Sequence, residues 1–167
     1  MTDSAQDIIN ANSASAPVNV EQIARDLGLE LVAKANLPEQ IAGLIEKTKN
    51  SYRIKVNAAD HYYRRRFTIA HEIAHFLLHR HLLGDGVDDN RAYRATDTGQ
   101  YRHSEIAASH EAEANRLAAH ILMPPNLVKR EYSEANRDVD TLAKRLQVSP
   151  AAMKYRLKAL GYEVDLT

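Results

Sequence analysis

The stretch Arg64-Arg-Arg-Phe-Thr-Ile-Ala-His-Glu-Ile-Ala-His-Phe-Leu-Leu-His79 decides how the rest of this sequence is read. Ile69, Ile73 and Phe76/Leu77 recur at helical spacing, which predicts one helix over about residues 64–79 with a single buried stripe. His71 and His75 are four residues apart, so both leave one face of that helix and their imidazoles can meet one metal ion. A catalytic zinc takes three protein ligands and keeps one position open for water. Glu72 would then take the proton of that water as it attacks a carbonyl. Ile73 anchors the helix in the core and Ala74 leaves space. Five residues of this pattern recur by chance, so the reading depends on a third ligand.

Downstream, a second helix is predicted over about residues 105–122, with the apolar stripe Ala107, Ala114, Leu117 and Ile121 and a stop at Pro124-Pro125. Glu111 and Asn115 share one face of it. Glu111 is the expected third ligand, and Asn115 the expected acceptor for a ligating histidine's other ring N–H. Glu113 is rotated by about 200° from Glu111 and groups with Arg116 and His120 on the solvent face. His110 is a rival ligand, but it lies nearer the apolar stripe. His79 and His81 are expected as solvent-facing or end-of-helix residues, since no acid adjoins the His75/His79 pair.

Residues 84–103 lack periodicity and read as a long functional rim. On it, Tyr101 and His103 are the candidate oxyanion donors, with ordinary surface residues as the alternative. The Gly84-Asp-Gly-Val-Asp-Asp-Asn90 run lacks the glycine placement and terminal glutamate of a calcium loop. The Arg64-Arg65-Arg66 run reads as a solvated helix start.

Upstream, residues 1–16 read as a flexible tail. Val18 to Ile23 starts a helix, with Asn19 as cap and Val18/Ile23 as a hydrophobic staple, and Gly28 ends it. Segments near 29–33, 41–45 and 52–56 have β-branched or alternating apolar residues and predict a small sheet. At the other end, helices near 140–146 and 150–160 have helix-turn-helix dimensions and carry Lys144, Arg145, Lys154, Arg156 and Lys158. The front of the second, Pro150-Ala-Ala-Met153, offers base edges almost no donors or acceptors, and Met153, Leu157 and Leu160 form a core stripe. A packing or docking role is expected there, not sequence-specific DNA binding. The expected fold is α+β: a small sheet beside a metal-bearing helix and a glutamate-bearing helix over residues 17–136, with a helix-turn-helix-like appendage over 137–167.

Composition narrows the chemistry further. The chain has no cysteine and eight histidines, so disulfides are excluded and a transition metal must be held by His, Asp and Glu. Its 22 basic and 22 acidic residues leave no bulk charge to attract nucleic acid or membrane. No apolar run of about 18 residues and no signal-peptide pattern is present. A soluble cytoplasmic protein is expected.

The pattern RRFTxAHExxH over residues 65–75, with Glu111-Ala-Glu-Ala-Asn115 and Leu122-Met-Pro124, resembles the ImmA/IrrE family of metallopeptidases. The similarity runs from about Pro17 to Gly161, and Leu117 stands where phenylalanine is common. The resemblance implies a zincin-like fold, with zinc (Zn2+) held by His71, His75 and Glu111. It also implies a protein substrate, typically a helix-turn-helix transcriptional repressor encoded nearby. Two alternatives stay open: a noncatalytic repressor- or DNA-binding module with a structural zinc, and the toxin half of a toxin–antitoxin pair.

Overall fold

The computed structural model describes residues 3–83, 93–95 and 106–166. Among the described residues are seven α-helices and a four-stranded mixed sheet, so the architecture is α+β. In chain order the elements are α1 (Asp3–Ala11), α2 (Val20–Asp26), β1 (Glu30–Ala35), β2 (Gly43–Lys47), β3 (Tyr52–Asn57), α3 (Tyr62–His79), β4 (Tyr93–Ala95), α4 (Ala108–Leu122), α5 (Pro125–Glu134), α6 (Val139–Leu146) and α7 (Pro150–Ala159). The sheet order is β1-β3-β2-β4. β1 and β3 are parallel, and β2 runs antiparallel to both of its neighbours.

Alternation explains β3. Ile54 and Val56 are buried, while Arg53 and Lys55 turn away and pair with Glu46 at 3.1 and 3.2 Å. The register Ile45↔Ile54 sets two β-branched side chains opposite each other under α3. Gly43 lets α3 come close. A Cβ there would stand 2.4 Å from the Thr68 methyl and 2.8 Å from the Lys55 carbonyl oxygen.

The expected cap of α2 is present, with Asn19 Oδ1 accepting from Gln22 N at 3.2 Å and both Val18 and Ile23 buried. Gln22 donates to Asp26 and not back toward Asn19. Gly28 follows at φ +84°, a left-handed conformation that favours glycine.

Several expectations need correction. Residues 1–16 are not a tail throughout, because α1 occupies Asp3–Ala11 and buries Ala5 and Ile9. A helical face of Ala5, Ile8 and Ile9 is hidden in the sequence among Ser, Asn and Ala. Pro124-Pro125 ends α4 and also begins α5, in which Pro125 fills the first-turn position that lacks no needed donor. Leu127, Val128 and Tyr132 bury one side of α5. Ala107 is exposed, and the buried stripe of α4 is Ala114, Ala118, Ile121 and Leu122. Within the expected loop 84–103, Tyr93–Ala95 pairs with β2; the calcium-like run lies outside the described residues.

Arg66 departs from the solvated reading of its run, and Arg156 of the C-terminal basic set is also drawn into the fold. Arg66 is buried, and its guanidinium donates to the carbonyls of Gln147 and Leu146 at 3.2 and 3.4 Å, closing the C-terminal end of α6. Arg156 donates to the Met123 carbonyl at 2.9 Å, at the end of α4. Burial lowers the pKa of both guanidiniums from the usual arginine value. Arg145 is paired with Glu131 at 3.1 Å and Glu134 at 3.5 Å. Of the five basic residues in the last two helices, these two are thus committed to packing and pairing. One apolar cluster runs from Ile9 through Ile45, Ile73 and Ile121 to Met153 and Leu157.

Candidate metal centre

α3 carries two kinds of buried face. Ile69 and Ile73 enter the apolar cluster, while His71, Glu72, His75 and His79 are also buried. His61 starts the helix, its Nδ1 accepting from Tyr63 N at 3.1 Å. α4 lies against α3 in antiparallel sense, because His71 meets Asn115 and His75 meets Glu111.

The contacts converge on one point. His71 Nε2 and His75 Nε2 are 3.1 Å apart, and Glu111 Oε1 stands 2.6 Å from His75 Nε2 and 3.6 Å from His71 Nε2. Tetrahedral zinc with bonds of about 2.0–2.1 Å sets its ligand atoms about 3.3 Å apart, so two of the three separations already suit the ion and the shortest has only to open. The donor set, two imidazoles and one carboxylate, is also what a catalytic zinc takes. The residues fit the metal.

Ring orientation supports the same fit. Asn115 Oδ1 lies 2.8 Å from His71 Nδ1, and an amide oxygen only accepts. His71 therefore holds its proton on Nδ1 and offers a lone pair at Nε2. A carboxylate oxygen of Glu72 lies within 4.8 Å of the imidazole nitrogens of His71 and His75, close enough to serve a water between them.

Beside these groups is a cavity of about 170 Å³ bounded by Ala42, Arg64, Phe67 and Thr68 as well as by His71, Glu111 and Asn115. Arg64 and Phe67 also line a larger apolar groove of about 700 Å³ that extends to Val148 and Pro150 at the α6–α7 turn.

The structure thus brings together His71, Glu72, His75, Glu111 and Asn115. Tyr101 and His103 lie outside the described residues. His110 does not join the cluster of ligand atoms; its Nδ1 accepts from Ala107 N at 2.9 Å at the start of α4. His79 was expected at the surface or at a helix end. It is the last residue of α3, but it is buried, with Nδ1 2.9 Å from His75 Nδ1 and Nε2 3.3 Å from Glu113 Oε1. Burial is the largest influence on its imidazole and lowers its pKa, against the opposing pull of Glu113. Glu113 is half exposed, yet it does not simply face solvent: a helical-wheel angle fixes the direction of its Cβ, not the reach of its long side chain. The repeat His71, His75, His79 at steps of four is the sequence signal for the contact between His75 and His79.

The model of the IrrE N-terminal-like peptidase domain matches residues 24–158. The chain belongs to the IrrE N-terminal-like peptidase family. Every metal-side residue described above lies within the matched span. Among solved structures, this IrrE-like chain is similar to a Mycobacterium tuberculosis transcriptional regulator, with a TM-score of 0.62 and 19% identity over 92% of the chain and 44% of the regulator. It therefore spans less than half of that protein, and the likeness is one of fold. No curated protein matches it. Among the described residues, no helix is long and apolar enough to cross a membrane.

Proposed function

We propose that this protein is a cytoplasmic zinc endopeptidase whose substrate is a DNA-binding repressor of the helix-turn-helix class. The observation that carries the reading is the convergence of His71 Nε2, His75 Nε2 and Glu111 Oε1 at 2.6–3.6 Å, with the Glu72 carboxylate alongside. When bound, zinc supplies Lewis acidity toward a water and a substrate carbonyl. Glu72 accepts the water's proton and returns it to the leaving amine. Glu111 brings the negative charge that offsets the dication. Asn115 holds the His71 ring in the tautomer that offers Nε2. In this reading the fold is zincin-like, residues 17–136 supply the chemistry, and the groove from Phe67 to Pro150 borders the path of the substrate with the helix-turn-helix-like segment 137–167.

The family resemblance supports a repressor as the substrate, and the solved structure of like fold is itself named a transcriptional regulator. Glu72→Gln tests the chemistry. A general base contributes about 10²–10⁴-fold to rate, so cleavage of a co-encoded repressor should fall by that factor while zinc content, measured by metal analysis, stays at the wild-type level. Cleavage at the wild-type rate would sink the hydrolytic mechanism. Repressor inhibition that survives the substitution would favour a noncatalytic binding module, whether or not the protein serves as a toxin.

A further inference from the structure

Zinc chemistry at His71, Glu72 and Glu111 leaves one line of contacts unused, on the far side of His75. The Nδ1 atoms of His75 and His79 are 2.9 Å apart, and His79 Nε2 is 3.3 Å from Glu113 Oε1. His79 is buried, with its ring centroid 4.9 Å from that of His110, whereas Glu113 is half exposed. His110 Nδ1 accepts from Ala107 N, and among the described residues Glu113 is the carboxylate that His79 meets.

Two proton arrangements are open to this line when both imidazoles are neutral. Two imidazole nitrogens at hydrogen-bond distance share one proton, and an ionised carboxylate only accepts. In one arrangement His75 keeps its proton on Nδ1 and donates to His79 Nδ1. His79 then carries its proton on Nε2 and donates to Glu113, and His75 Nε2 is bare. In the other arrangement His79 donates from Nδ1, His75 carries its proton on Nε2 and points it at Glu111, and a bare His79 Nε2 faces the Glu113 carboxylate. That last contact sets two acceptors against each other. In the first arrangement the bare His75 Nε2 faces Glu111 Oε1 at 2.6 Å, the same conflict, which a cation between the two removes. With the cation bound, Glu113 disfavours the arrangement in which His75 cannot hold it.

We propose that His79 and Glu113 are positioning residues that hold His75 with Nδ1 protonated and Nε2 bare, a relay two residues long where His71 has the single partner Asn115. Outer partners of this kind fix a ligand's tautomer and raise its basicity. The proposal rests on the reading of His75 as a metal ligand. It assigns a purpose to a buried histidine and an exposed acid that the hydrolytic chemistry does not touch.

The test is a tautomer measurement on the full-length protein labelled with ¹⁵N-histidine, whose imidazole nitrogen shifts distinguish protonated from bare nitrogen. With zinc added, His75 should be the Nδ1–H tautomer and His79 the Nε2–H tautomer. Glu113→Lys places a donor against His79 Nε2, favours the opposite arrangement, and should weaken zinc binding in a competition titration by about 10–100-fold. Glu113→Gln can still accept through its amide oxygen and should stay close to wild type. An Nδ1–H tautomer at His79 in the zinc-loaded protein overturns the relay, as does a Glu113→Lys variant with wild-type zinc affinity. Zinc that leaves the Nε2 signals of both His71 and His75 unmoved overturns the metal site itself, and the relay with it.

Discussion

The helix pair α3/α4 and the helix pair α6/α7 differ in what they hold between them. α3 and α4 both put apolar residues into the core, Ile73 and Ile121 among them, and add a polar cluster in which two imidazoles, a carboxylate and an amide meet within 3.6 Å. Between α6 and α7 the buried contacts are apolar, with Leu142, Leu146, Met153 and Leu157 in the core. The ends of the second pair follow ordinary rules of chain termination. Asp138 caps α6 through Thr141 N, Gln147 ends it in the left-handed conformation at φ 54°, and Ser149 Oγ accepts from Ala152 N at 3.1 Å. Burying polar groups opposes folding unless each is partnered, so a pair built that way is shaped by something other than stability. The first pair is organised for chemistry and the second for packing.

Damage to the second pair should therefore register as stability, and damage to the first as metal affinity. The largest change expected is at Leu157, which is fully buried. Leu157→Ala should cost about 2–5 kcal/mol in denaturant unfolding, with the zinc affinity of the folded fraction unchanged. A parallel loss of zinc affinity would break the division between the pairs. Next, Asn115→Ala should weaken zinc binding by about 10–100-fold while the metal-free protein melts close to wild type, since Asn115 is exposed. An unchanged zinc titration curve would remove Asn115 from the site.

Smaller effects sharpen the same contrast. Ser149→Ala removes a helix cap and should cost about 1 kcal/mol in chemical denaturation, with zinc binding untouched. His120 lies where the two pairs meet, and its Nδ1 is 3.4 Å from Arg156 Nη2. Burial first and Arg156 second lower its pKa below the ordinary histidine value. The unfolded chain then takes up the proton before the folded one does. That contribution to stability is intact above pH about 6.5 and is lost as pH falls from there toward the folded value. In His120→Gln the drop in melting temperature between pH about 7 and pH about 5.5 should be smaller than in wild type. An identical drop would show that His120 carries none of it.

The sequence made the packing pair and the candidate metal ligands legible for different reasons. Ser149-Pro150 and the Met153/Leu157 stripe are local signals, readable within one turn of helix. His71 and His75 were readable because a spacing of four has one geometric meaning on a helix. The His79–Glu113 contact was not, since it depends on how far α3 extends past α4, and a wheel drawn for one helix holds no such information. Arg66 was missed for the same reason: its acceptors are 80 and 81 residues away in the chain. α5 was overlooked where Pro124-Pro125 was read only as a stop, although Leu127, Val128 and Tyr132 mark one face. α1 was hidden by composition.

Arg66 also sets a limit on where this chain can be cut. It sits on the helix that carries the candidate metal ligands, and it donates to the carbonyls of Leu146 and Gln147 at the end of α6. A fragment ending at residue 136 keeps every expected zinc ligand but takes those carbonyls from Arg66 and strips Leu142, Leu146, Met153 and Leu157 from the apolar cluster, opening its face to water. It also loses Val148 and Pro150 from one wall of the groove beside the site. The shortest piece that holds the metal and the shortest piece that folds are therefore different lengths of the same chain.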